Sequence, residues 1–317
     1  METPKTAHQR VLRYLHKKRV MRYLGDKTDV FFSKIENRLE KYTLLWQLHS
    51  VNYMLTDTVN MLFSCESDLY GSCVLKMCIP GPVVATEIHC LSAYNGKSYC
   101  KLFAYDLADD VLLLERVTPG TQLRTMAEYQ ERAKLIAQII KDMHIPWGKK
   151  KIFPTYRTWL EKMHKAFTFI GGLEDMLSYL DLALKFYNEL RQPHRQNCLL
   201  HGDLHAGNLL LNKQGNYTII DPKGVVGAPV MEIARSLVCE LPCSSEKIFE
   251  MVDIMSPITG FAKKDILKSM FVDTVLVCSG NLGEYFPTKE AFHKKKQEMI
   301  EICGFVYEML KKDSIYV

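Results

Sequence analysis

The sequence predicts a two-lobed α+β protein, with a small β-rich N-terminal lobe over residues 1–117 and a larger helical C-terminal lobe over 118–317. Three observations carry this. Short β-like runs crowd the first part, at Val59 to Cys65, Cys73 to Cys78, Tyr99 to Tyr105 and Val111 to Val117. Thr118-Pro119-Gly120 then breaks the pattern. Beyond it, apolar residues recur at helical spacing, first at Ala133, Ile136, Ala137, Ile140 and Met143, and a single β insert interrupts the helices. A cleft between two such lobes is a common location for ligands.

The elements follow in order. Between Gln9 and Gly25, six basic residues alternate with Val11, Leu12, Tyr14, Leu15, Val20 and Met21 and no acid intervenes, which predicts a basic amphipathic helix with a solvated face. Pro80-Gly81-Pro82 opens a helix over Val83 to Tyr94 between the second and third β runs. After the helix from Thr125 onward, others are predicted over Tyr156–Ala166, Leu173–Leu190, Met231–Cys239, Lys263–Leu282 and Lys289–Lys311.

Composition narrows the class. The chain has 317 residues, 47% of them hydrophobic, and a formal net charge of +5. Basic and acidic residues are close to balanced on both sides of Val117, so neither half has the bias of a nucleic-acid binder. Ten cysteines stand without a CxxC pair, which argues against a zinc site or a disulfide framework and for a reduced compartment. The N-terminus lacks an apolar signal core, and no run is long enough to span a bilayer. A cytoplasmic protein without stable membrane association is expected.

The β insert carries the chemistry. In "CLLHGDLHAGNLLLNKQGNYTIIDPKGVVGAP", Asp203 is followed five residues later by Asn208, and Asp221 closes the next β run. Turns at Gly202, Gly207 and Lys213 to Asn216 predict that the flanking strands fold into a hairpin, with the three side chains converging at one end. Asn208 and Asp221 offer hard oxygen donors suited to Mg²⁺, and Asp203 is left to receive or orient a proton. That division of labour belongs to kinase-type phosphoryl transfer. A rival zinc reading of His201 and His205 lacks a third soft ligand nearby, so these rings are expected to hydrogen-bond within the loop.

Phosphoryl transfer also asks for a lysine in the β-rich lobe. Lys76 stands at the end of a β run, and Glu87, eleven residues on in the predicted helix, is its natural ion-pair partner. The run Leu112 to Val117 precedes the Thr-Pro-Gly break and would connect the lobes, where backbone groups of Glu115 and Val117 would receive an adenine.

"LLHGDLHAGN", "IIDPKGVVGAP", "VLK" with Glu87 and "LLLERVTPG" together resemble the aminoglycoside phosphotransferase family, in the streptomycin 6-kinase and aminoglycoside/hydroxyurea resistance kinase branch. The similarity runs from about Val59 to Ala234, and "IDPKG" is its most specific mark. The resemblance implies a protein-kinase-like fold and ATP- and Mg²⁺-dependent phosphorylation of a small-molecule hydroxyl, with an aminoglycoside such as streptomycin as the expected acceptor. It implies Asp203 as the catalytic aspartate, Asn208 and Asp221 as Mg²⁺ ligands, Lys76 as the nucleotide-phosphate lysine, and Lys223 as a further residue approaching the phosphates. Two departures stand out: Ala228 and Glu232 occupy positions where the family commonly has Asp. For a polycationic acceptor, Glu232, Glu240, Asp253 and Glu284 are the expected carboxylates of the acceptor mouth.

Overall fold

The computed structural model describes residues 16–56, 58–148, 152–191, 197–284 and 286–313. The chain divides into two compact units. The first takes the described residues up to Gly120 together with Glu284 and Phe286, and the second takes Thr121–Gly283 and the chain from Pro287.

In the first unit, a helix over 16–24 (α1) leads into α2 (Thr28–Ser33) and α3 (Ile35–Leu45). The earlier part of the expected basic helix, with Arg10 and Arg13, lies outside the described residues. Five antiparallel strands follow, β1 (Leu48–Met54), β2 (Met61–Ser67), β3 (Gly71–Met77), β4 (Leu102–Asp106) and β5 (Val111–Glu115), in the order β1-β2-β3-β5-β4. Alternate residues of β2 face inward, with Met61, Phe63 and Cys65 buried. They pack with Leu75, Met77, Val111 and Leu113 against Phe31, Ile35, Tyr42 and Trp46 of the preceding helices.

The other face of the sheet carries Lys76 and Leu112, which sit opposite one another in register. Between β3 and β4 runs α4 (Pro82–Tyr94), opened by proline at its first turn and closed by Asn95 in the left-handed region at φ 47°. Four expected β runs thus exist with shifted ends, while β1 was not expected.

In the second unit, α10 (Lys263–Leu282) is buried along nearly its whole length, as an apolar helix packed on several sides must be. Its neighbours are α7 (Glu174–Leu190), α8 (Met231–Val238) and α11 (Lys289–Asp313). α5 (Tyr129–Met143) packs on α9 (Ser245–Thr259), a helix the periodicity did not reveal, and α6 (Tyr156–Ile170) packs on α7.

The β insert differs from the single hairpin expected. β8 (Cys198–Leu200) pairs with the unforeseen β11 (Val225–Gly227) on one side and β7 (Ile145–Pro146) on the other. The hairpin is formed instead by β9 (Leu209–Asn212) and β10 (Tyr217–Ile219), and β6 (Pro119–Gln122) lies beside β9 in the same sheet. The physical reason is local. Lys213 to Asn216 makes the tight turn, held by Asn212, whose Oδ1 accepts from the Gln214 and Asn216 N–H groups at 3.0 Å each, so Leu209–Asn212 is the segment that must pair with Tyr217–Ile219.

Leu75 is fully buried on the central strand of the first unit. Leu75→Ala is expected to cost about 2–5 kcal/mol, read as a lowered midpoint in denaturant unfolding.

Candidate active site

Lys76 is 3% exposed and Glu87 4% exposed, and the two meet within the first unit. The ammonium donates to Glu87 Oε1 at 2.7 Å and to Oε2 at 2.8 Å. An ammonium so deep in a sheet requires a charged partner, and α4 delivers it. Lys76 is therefore a central-strand residue and not a surface lysine.

Glu115 ends β5, where its N–H donates to the Lys101 carbonyl at 2.9 Å and its Oε2 accepts from the Lys101 N–H at 3.1 Å. With its N–H so committed, only the carbonyl of Glu115 would serve an adenine. The Val117 carbonyl lies close under Gly120, where a Cβ would come within 2.8 Å of it and where φ is +76°, so only glycine suits that turn.

In the second unit, the segment from His201 to Gly224 is knotted around one imidazole. His201 Nδ1 accepts from the Asp203 N–H at 3.1 Å, and Nε2–H donates to the Ile220 carbonyl at 2.8 Å. The His201 carbonyl accepts from the N–H groups of Lys223 and Gly224 at 2.9 and 3.1 Å. One residue thus links the Asp203 loop to the segment that bears Asp221. Burial pushes the His201 pKa down to about 4, so the ring is neutral, and both its nitrogens serve these bonds. His205 spends Nδ1 on the Gly207 N–H at 3.0 Å. The rings hydrogen-bond within the loop, as expected of them.

Asn208 closes the loop from the other side. Its Nδ2 donates to the Asp203 carbonyl at 3.0 Å, and its own carbonyl accepts from the Ile220 N–H at 3.0 Å. With Nδ2 so engaged, Oδ1 is the side-chain atom left to act as an oxygen donor. Asp221 adopts φ +59°, a left-handed conformation that Asp tolerates better than most residues. Asn208 Oδ1 and the Asp221 carboxylate are hard oxygen donors, the type that Mg²⁺ takes. Gly202 makes the loop possible: its φ is +78°, and a Cβ would stand 2.7 Å from Val225 Cγ1.

The Asp203 carboxylate is held by two cations. Lys223 Nζ approaches Oδ2 at 2.9 Å, and Arg235 approaches Oδ1 at 3.0 Å. Burial would raise its pKa, but the charges of Lys223 and Arg235 overcome that and hold it well below the usual carboxylate range. Arg235 turns its other nitrogens to Asp273 on α10, with Nε–Oδ2 at 2.7 Å and the second contact at 3.1 Å.

Sequence reasoning missed Arg235, Asp273 and the role of Glu232. The carboxylate of Glu232 accepts from the His201 N–H at 2.7 Å and from the Gly202 N–H at 3.2 Å, so it braces the loop from beneath. The available signal was a pair of charges at i and i+3, Glu232 and Arg235, on the otherwise mostly apolar α8.

The carboxylates expected at the acceptor mouth each have a partner in the structure. Glu232 is buried and committed to the loop backbone. Glu240 is committed to Arg132 and Lys247, and Asp253 pairs with Lys263 in solvent. Glu284 groups with the first unit, where it hydrogen-bonds Tyr23. For Glu232 and Glu240, partners at His201 and Arg132 lie far along the chain, where no local pattern announces them.

Burial pushes Glu232 up to about 7 although two N–H donors favour its charged form. The folded protein therefore holds this proton more tightly than the unfolded chain does. The stability that this gives is fully present below pH 4.5 and is lost as the pH rises through about 7. Glu232→Gln is expected to remove that pH-dependent loss, about 3 kcal/mol in the wild type, as read from urea unfolding at pH 5 and pH 8.

Comparison with known proteins follows this geometry. Residues 71–276 match the profile of the aminoglycoside/hydroxyurea antibiotic resistance kinase family. The chain is 24% identical over 224 residues to the hydroxyurea phosphotransferase of Kitasatospora aureofaciens, covering 69% of this chain and 65% of that one, just under two thirds of the relative's length. It is 22% identical over 223 residues to the streptomycin 6-kinase of Streptomyces glaucescens, covering 68% and 71%. The solved structure of amicoumacin kinase in complex with AMP-PNP and Ca²⁺ superposes with a TM-score of 0.65 at 14% identity, covering 88% of this chain and 96% of that one. With a five-stranded antiparallel sheet in one unit and a mainly helical second unit, the chain has a protein-kinase-like fold and belongs to the aminoglycoside/hydroxyurea antibiotic resistance kinase family.

Proposed function

We propose that this protein is an ATP- and Mg²⁺-dependent phosphotransferase that phosphorylates a hydroxyl of a small molecule. The observation that carries the reading is the join made by His201 and Asn208, which ties Asp203 to the segment bearing Asp221. Relatives named as phosphotransferases and kinases support it.

Asp203 is ionised at neutral pH and orients the acceptor hydroxyl by accepting its hydrogen bond. Its depressed pKa makes it a poor base before transfer begins. The hydroxyl becomes acidic as its oxygen bonds phosphorus and the bond from the γ-phosphorus to the bridging oxygen breaks, so the proton passes to Asp203 late, as a loose transition state requires. Asn208 Oδ1 and the Asp221 carboxylate are the ligands for Mg²⁺, which supplies charge neutralisation to the phosphates when bound. Lys76, fixed by Glu87, serves the nucleotide phosphates, and the backbones of Glu115 and Val117 serve the adenine.

The relatives divide between streptomycin and hydroxyurea. The commitment of Glu232, Glu240, Asp253 and Glu284 to other partners favours a neutral hydroxyl compound over a polycation, with streptomycin kept as the alternative acceptor.

Incubation with ATP, Mg²⁺ and a panel containing hydroxyurea, streptomycin and neutral polyols, read by mass spectrometry, tests the reading. A phosphorylated acceptor is expected, and its absence across a broad panel with no acceptor-dependent ADP release counts against catalysis. Asp203→Asn is expected to lower turnover by about 10²–10⁴-fold while nucleotide binding persists. Asp221→Ala is expected to weaken binding of Mg·ATP in calorimetry and to leave adenosine binding unchanged, since only the phosphates carry the metal.

A further inference from the structure

Six residues separate β1 from β2, and none of them is glycine. The turn lies at the Lys76 end of the sheet: Met54 is level with Leu62, and Leu62 is level with Lys76. Two strand spacings, about 10 Å, therefore separate its base from the Lys76 backbone. Asn60 Oδ1 accepts from the Ile79 N–H at 3.1 Å, which binds the turn to the exit of β3.

The carbonyls of this turn are gripped by α1. Arg19 donates from one terminal nitrogen to the carbonyl of Thr56 and, at 3.1 Å, to that of Thr58. His16, 1% exposed, donates through Nε2–H to the Val59 carbonyl at 3.0 Å, and its Nδ1 accepts from the Tyr53 hydroxyl at 2.9 Å. Phe32 and Tyr53 stand edge-on to the His16 ring, and Val20 joins the core of the unit, so the helix is anchored on both sides of Arg19.

A trans peptide points its C=O and the following N–H in opposite directions. Holding the Thr58 carbonyl toward Arg19 therefore turns the Val59 N–H away from α1. A backbone N–H fixed in direction in this way is the kind of donor that anion-receiving turns use.

We propose that α1 is a brace for the β1–β2 turn, and that Arg19 and His16 are positioning residues for the nucleotide phosphates. This rests on the proposed nucleotide site and gives the basic helix a role within it. Where glycine is absent, the side chains of a neighbouring helix set the turn's shape and limit its motion.

The test uses the full chain, with Mg·ADP and adenosine as probes in calorimetry and amide hydrogen exchange at Thr58 to Asn60. Arg19→Ala is expected to weaken Mg·ADP about tenfold, leave adenosine within twofold and speed exchange in the turn but not in β3 or α4. Arg19→Lys, which keeps a donor cation, is expected to recover part of the affinity. Equal affinity for Mg·ADP in Arg19→Ala and wild type, or an equal loss for adenosine, overturns the brace while the nucleotide site stands. A wild type that binds neither probe overturns both.

Discussion

A single guanidinium joins the Asp203 loop to the buried core of the second unit. Arg235 is 14% exposed, yet it contacts two carboxylates, Asp203 in the loop and Asp273 in the middle of the buried helix α10. Charges so deep persist only when each has a partner, and removing one member strands the others. The fork of Arg235 matches the carboxylate of Asp273 with two nitrogens, which fixes its plane and leaves a third nitrogen aimed at Asp203. The register of α8 on α10 follows from that geometry, and the guanidinium joins Lys223 in holding the Asp203 pKa down.

The loop above this guanidinium has almost no slack. Its backbone N–H groups at His201, Gly202 and Asp203 end on Glu232 or on the His201 ring. Buried N–H groups must find acceptors, and here few of those acceptors belong to regular strand pairing. A three-residue strand such as β8 would be marginal alone, and the side-chain acceptors beneath it supply what its length cannot.

How much of this could be read from the sequence depended on how local the signal was. α10 was legible to the residue because its apolar content is continuous and Gly283 ends it. α4 was legible within one residue through its opening proline. β1 was not, because His49, Ser50 and Asn52 leave it half-exposed with no clean alternation. β11 escaped because three residues, the last of them glycine, carry no period at all. The spacing of Asp203 and Asn208 was visible, and so was Glu87 as the partner of Lys76, since it stands eleven residues on in the helix that the proline opens. Asp273 and the task of Glu232 were invisible because their partners lie 30 or more residues away.

The pairing of β8 with β11 has a further outcome. Both ends of the segment that contains Asp203, Asn208 and Asp221 are clamped by that pairing, while the β9–β10 hairpin projects between the clamps. Its tip, Lys213 to Asn216, is exposed and turns through Gly215 at φ +79°. Chain length is thereby decoupled from chemistry at one point: residues added at the tip lengthen the hairpin outward and leave the clamped ends where they are. Among the described residues of this insert, that tip is where drift between descendants of one ancestor meets the least resistance, and where a fluorescent or affinity label finds a natural seat.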